Sequence, residues 1–106
     1  MTKQEKIDFI IKNTKEEQKR FKERMFKLDG AQVYSLAYII TLRQELIPLI
    51  NEFIESNAED EEIDLAYNLI SQNRSLISVF LKIFEDSLNI EYLSISEAFA
   101  DLEAYI

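Results

Sequence analysis

The sequence predicts an all-α fold: an up-down-up bundle of three long antiparallel helices with a short fourth helix at the C-terminal end. Three observations carry that expectation. The 106 residues include one Gly and one Pro, too little turn material for many short strands. Apolar residues recur at steps of three and four over long stretches, the period of a helix face. Capping-box pairs, a Thr, Ser or Asp three positions ahead of a Glu or Gln, stand where those stretches begin. With 47% apolar and 30% charged residues, one globular domain over 1–106 is expected rather than disorder.

The first helix, about 2–28, opens on Thr2 and Glu5 and carries the seam Ile7, Ile11, Thr14, Gln18, Phe21, Met25, Leu28. Thr14 and Glu17 repeat the capping spacing, so residues 13–17 are a place to kink or restart. "LDGAQ" ends it, with Gly30 suited to a left-handed turn and Asp29 with Gln32 suited to cap the next helix. The second helix, about 30–55, has two adjacent seams: Val33, Leu36, Ile40, Arg43, Ile47, Ile50, Ile54, and Ile39, Leu42, Leu46, Leu49, Phe53. Seams one residue apart sit about 100° around the helix, so its apolar arc is wide. Pro48 removes a backbone bond there and predicts a kink near Gln44.

"ESNAEDEEIDLAYNLI" places five carboxylates between Glu59 and Asp64. It lacks the alternating oxygens and the glycine of a calcium loop, and carboxylates suit the positive end of a helix dipole. It reads as a helix start, capped by Ser56 and Glu59. The third helix then runs about 58–88 on the seams Ile63, Tyr67, Ile70, Ile77, Phe80, Phe84 and Leu65, Leu69, Leu76, Val79, Ile83, with Asn89 as its stop. "IEYL" links it to a short helix, about 95–105, capped by Ser94 and Glu97.

Composition narrows the chemistry. There is no Cys and no His, which removes disulfides, thiolate zinc sites, cysteine nucleophiles and the usual general base. No glycine-rich phosphate loop is present. A non-enzymatic protein without cofactor or metal is expected. "MTKQEKIDFI" lacks the pattern of a signal peptide and no apolar run reaches bilayer length, so a cytoplasmic protein is expected. The net charge of −8 is uneven: residues 1–27 carry nine basic residues against five acidic, and residues 28–106 three against fifteen.

Three constellations stand out. Thr14 and Gln18, Arg43 and Gln44, and Gln72, Asn73 and Arg74 interrupt the seams near mid-helix, which in an antiparallel bundle is one level. This polar layer reads either as a register device, with Glu17 or Glu45 pairing the arginines, or as an anion pocket built on the arginine forks. Tyr34 and Tyr38, beside Leu42, Leu46, Leu49 and Phe53 on the broad helix, form a candidate self-association face. Lys12, Lys15, Lys19 and Lys22 make a basic stripe that could meet phosphates, though Glu16–Arg20 and Glu23–Lys27 pairs would offset part of it.

The leading functional expectation is a small helical interaction protein that regulates or inhibits a protein partner, and self-associates. Two alternatives stand beside it: a binder of a small anion or nucleotide at the polar layer, and a nucleic-acid-associated protein using residues 12–27. The acidic body also suggests mimicry of DNA charge, although the basic first helix breaks a uniform field. Richness in Lys, Asn, Ile and Glu fits an AT-rich bacterial or phage genome.

Overall fold

A computed structural model describes residues 1–84, 92–100 and 102–105. The described residues form helices joined by tight turns, with no strand among them. α1 spans Lys3–Phe26 and begins on the predicted box: Thr2 Oγ1 accepts from the Glu5 amide at 3.1 Å, and Glu5 Oε1 accepts from the Thr2 amide at 3.2 Å. No restart occurs at residues 13–17. Thr14 is buried, and its hydroxyl lies 2.9 Å from both the Ile11 carbonyl and Asn51 Oδ1. Its polarity is therefore satisfied within an unbroken helix and against the neighbouring one.

The structure departs from three unbroken rods in two places. The second rod is two helices, α2 (Gly30–Ser35) and α3 (Ala37–Ser56). The interruption falls at Leu36, whose amide bonds back only three residues to the Val33 carbonyl at 3.1 Å. Around Gln44 and through Pro48 the helix is continuous. The Asp29–Gln32 box closes as predicted, with the Gln32 amide donating to Asp29 Oδ1 at 2.8 Å.

The third rod is also two helices, α4 (Asp60–Ser71) and α5 (Leu76–Phe84). Between them Asn73 takes a left-handed φ of 61°, a region that asparagine enters more readily than most residues. Its amide and that of Arg74 close the end of α4, bonding the Ile70 and Leu69 carbonyls at 2.9 and 3.2 Å. Ser75 Oγ then caps α5 by accepting from the Ser78 amide at 3.0 Å. Gln72, Asn73 and Arg74 are thus exposed turn residues, not members of a buried layer.

At the other end of α4 the acidic run is a helix start: Asp60, Glu61 and Glu62 fill the first turn. The cap lies three residues later than predicted. Ser56 ends α3, and Glu62 Oε1 accepts from the Glu59 amide at 2.9 Å. α6 (Tyr92–Ala100) begins ahead of Ser94 and is followed by a 3-10 turn, Leu102–Tyr105. The predicted stop at Asn89 and the first half of the linker "IEYL" lie outside the described residues.

Side-chain pairs fix how the helices lie. Lys3 meets Asp60 at 2.9 Å, Lys6 meets Asp64 at 2.7 Å, and Phe9 meets the edge of Tyr67 with ring centres 5.2 Å apart. Both numbers rise together, so α1 and α4 run the same way. Against α3 the order reverses: Thr14 meets Asn51, and Gln18 meets Arg43. The core joins Ile7, Ile10 and Ile11 of α1 to Leu46 and Ile50 of α3, Ile63 and Leu69 of α4, and Phe80 of α5. α6 closes it: Phe99 stacks on Phe53 at 4.6 Å and tilts against Phe80 at 4.8 Å.

Candidate functional site

Of the predicted polar layer, the part between α1 and α3 exists. Arg43 is 5% exposed. Its Nε donates to Gln18 Oε1 at 3.0 Å, and its guanidinium lies over the Phe21 ring at 4.1 Å. Nη2 is buried and has no hydrogen-bond partner. Burial lowers the Arg43 pKa below the ordinary arginine value, the nearby Glu17 carboxylate raises it, and Arg24 lowers it again. Gln44, by contrast, is exposed, because it sits on the outer side of α3 one residue from Arg43.

The other predicted members regroup. Asn73, Arg74 and Ser75 of the α4–α5 turn face Glu17, Arg20 and Arg24 of α1 across a cleft of about 300 Å³. The Ser75 hydroxyl donates to Glu17 Oε1. Arg20 and Arg24 close no ion pair among the described residues, and neither does the anticipated Glu16–Arg20 pair or the Glu23–Lys27 pair. Among the described residues that line the cleft are three arginines and one carboxylate. Sequence reasoning included Arg74 and Asn73 but missed Arg20 and Arg24 as partners, because it carried α4 straight through residues 72–75. The i,i+4 spacing of the two arginines was the available signal.

A second feature occupies the end of the molecule where α1 meets α2 and the start of α3. Phe26 is 89% exposed, Tyr34 84% and Tyr38 53%. Beside them runs a groove of about 200 Å³ lined by Phe21, Met25 and Phe26 of α1, Val33 of α2 and Ile40 of α3. An adjoining hollow of about 430 Å³ is bordered by Lys15, Lys19 and Lys22, with Glu23 as the acidic residue of its lining. All four lysines of the predicted basic stripe, Lys12 included, are exposed. The residues of the predicted self-association face separate in the structure. Tyr34 and Tyr38 are on the surface, but Leu42, Leu46 and Phe53 are buried within the chain and Leu49 packs partly against the core. The wide arc of this helix is consumed by α1 on one side and by α5 and α6 on another. The unexpected contributor is Phe26, which the heptad spacing had left outside the seam.

A hollow of about 600 Å³ lies at the opposite pole between Phe53, Leu65, Phe99 and Glu59, Glu61, Glu62 and Glu103. Among the described residues no group of three or more carboxylates is placed to hold a metal ion. Nor is any described helix long and apolar enough to cross a membrane. Comparison with known protein families, with curated proteins and with solved structures finds no match.

Proposed function

We propose that the chain is a small non-enzymatic interaction protein that regulates or inhibits a protein partner by holding one of its helices at the α1–α2–α3 end. The observation that carries this reading is the concentration of large apolar surface there: Phe26, Tyr34 and Tyr38 stand out beside an apolar groove. Exposed aromatic side chains of this kind, apolar in body and in Tyr polar at the tip, are typical anchors of helix-in-groove recognition. In this reading α1, α3 and α4 act as an up-down-up frame, and α2 forms one wall of the groove.

Charge selects the occupant. Lys15, Lys19 and Lys22 border the hollow next to the groove, so the fitting partner is an amphipathic helix with an apolar stripe and acidic flanks. A second copy of this chain meeting the first through Tyr34 and Tyr38 is the competing occupant. Two synthetic 20-residue helices with the same apolar stripe, one flanked by Glu and one by Lys, distinguish these in fluorescence anisotropy and sedimentation. The expected result is binding of the acidic helix, weakened about tenfold or more by Phe26→Ala, with a monomeric protein throughout. Dimerisation abolished by Tyr34→Ser and Tyr38→Ser assigns the face to self-association instead. Equal binding of both peptides, or of neither, refutes the reading.

A further inference from the structure

Arg43 uses half of a fork. The Nε and Nη2 hydrogens of a guanidinium leave the same edge of its plane side by side, at a spacing that suits the two oxygens of a carboxylate. On Arg43 that edge faces Gln18. Nε donates to Gln18 Oε1 at 3.0 Å, while Nη2 is buried without a hydrogen-bond partner among the described residues. An amide side chain offers a single acceptor oxygen, so Gln18 fills one prong and leaves the other. The Glu17 carboxylate is near enough to act on Arg43 through space. It accepts the Ser75 hydroxyl, however, and does not fill Nη2.

Gln18 also connects this fork to the surface. It is half-buried, and it lines both the apolar groove and the hollow bordered by Lys15, Lys19 and Lys22. The group that covers the fork is therefore one that a helix docked in the groove would touch. We propose that one glutamate of the docked helix displaces the Gln18 amide and takes both the Nε and Nη2 donors of Arg43, an inference that rests on the reading of the α1–α2–α3 end as a site for an acidic amphipathic helix.

The setting of Arg43 favours a recognition role over a stabilising one. A buried charge with an unmade bond contributes little to folding, because its desolvation is not repaid. The guanidinium is held in place, 5% exposed and 4.1 Å from the centre of the Phe21 ring, so its fork is aimed before a partner arrives. The rim differs. Lys15, Lys19 and Lys22, opposed by Glu23, border the hollow, and exposed charges of that kind attract from a distance without fixing geometry. A two-pronged bond beneath Gln18 would set which acidic position of the partner lies over α3.

Fluorescence anisotropy on the full chain tests the proposal, with the Glu-flanked synthetic helix and variants of it in which each Glu is replaced in turn by Gln. One replacement should cost about tenfold or more in affinity for the parent protein. Against Arg43→Met the same replacement should change affinity by less than about twofold, since the bond it removes is already missing. Arg43→Lys keeps the charge without the fork and should bind as weakly as Arg43→Met. Raised salt should erase the loss caused by Lys15→Gln, Lys19→Gln and Lys22→Gln together, but not the loss caused by Arg43→Met. Gln18→Glu offers the fork a carboxylate from within the chain. It should raise Tm by about 4–8 °C, lose that gain in Arg43→Met, and weaken helix binding by occupying the fork. Circular dichroism confirms that each variant is folded. If the helix binds and Phe26→Ala weakens it, yet no Glu position depends on Arg43, the docking reading stands and this assignment falls. If the helix does not bind at all, both fall. A Tm that fails to rise in Gln18→Glu, or a rise that persists in Arg43→Met, also overturns the assignment.

Discussion

Replacing Arg43 with Met should leave the protein as stable or make it more so. The guanidinium makes one hydrogen bond to Gln18 and stacks on Phe21. Those contacts are worth about 1.5–3 kcal/mol for a charge-assisted bond and up to about 2 kcal/mol for a desolvated cation over a ring. Against them stand the desolvation of a buried charge, several kcal/mol, and an unpartnered Nη2 worth about 1–3 kcal/mol. Met keeps most of the stem volume and a sulfur–aromatic contact of about 0.3–1.5 kcal/mol with Phe21. Gln18 is half-buried, so water can replace its lost donor. The balance is a gain of about 0–3 kcal/mol, and for a domain of this size each 1 kcal/mol raises Tm by about 4–8 °C. Urea unfolding followed by circular dichroism measures it, provided the slope is unchanged. Arg43→Ala supplies the contrast: it removes the same charge but leaves a hole, and should be the less stable of the two. A loss above about 1 kcal/mol in Arg43→Met would refute the reasoning, since it would mean that the buried guanidinium is a net stabiliser.

Other perturbations test the frame. Phe99→Ala removes the ring stacked on Phe53 and tilted against Phe80 and should destabilise by about 3–5 kcal/mol in the same urea experiment. At Asn73, φ 61°, Val should cost more than about 1 kcal/mol while Gly should be close to neutral, its steric relief offset by unfolded-state entropy. Glu5 has its pKa lowered, first by the bond from the Thr2 backbone and then by the Thr2 hydroxyl. A carboxyl favoured in its charged form contributes above its unfolded pKa and loses that contribution as pH falls through the lower folded value. The start of α1 should therefore fray as pH falls below the ordinary carboxylate range, seen as faster amide exchange at Glu5 relative to mid-helix.

Much of the helical content could be read from the chain because local signals agree with tertiary packing there. Thr2 with Glu5 and Asp29 with Gln32 cap as their spacing implies, and Ile7, Ile11 and Phe21 face inward as the first seam requires. Ile10 escaped that seam yet is fully buried, because α1 packs against both α3 and α4 and needs a wider apolar face than one stripe. The break at 72–75 was hidden by phase: Ile70 and Ile77 are seven apart and keep the heptad across the turn. A polar triplet in such a run reads as a buried layer or as an exposed turn with equal ease. Asn73 followed by Ser75 and Ser78 was the local clue, a left-handed stop before a fresh cap. The arginine cleft depends on that break, and could not be assembled without it. At Leu36 neither Gly nor Pro announces the interruption, and the residue is only half-buried.

The six residues of α2 include no buried side chain, and a helix of that length does not sustain itself in water. Its shape is borrowed from the cap at Asp29 and from contact with α3. The stretch from Lys27 to Leu36 can therefore melt while the remainder stays folded. Among the described residues, a protease is expected to nick that stretch ahead of the long helices α1 and α3. Under the proposed function, the same property would let the wall reshape itself around the docked helix, with fit at that end settled on contact and not beforehand.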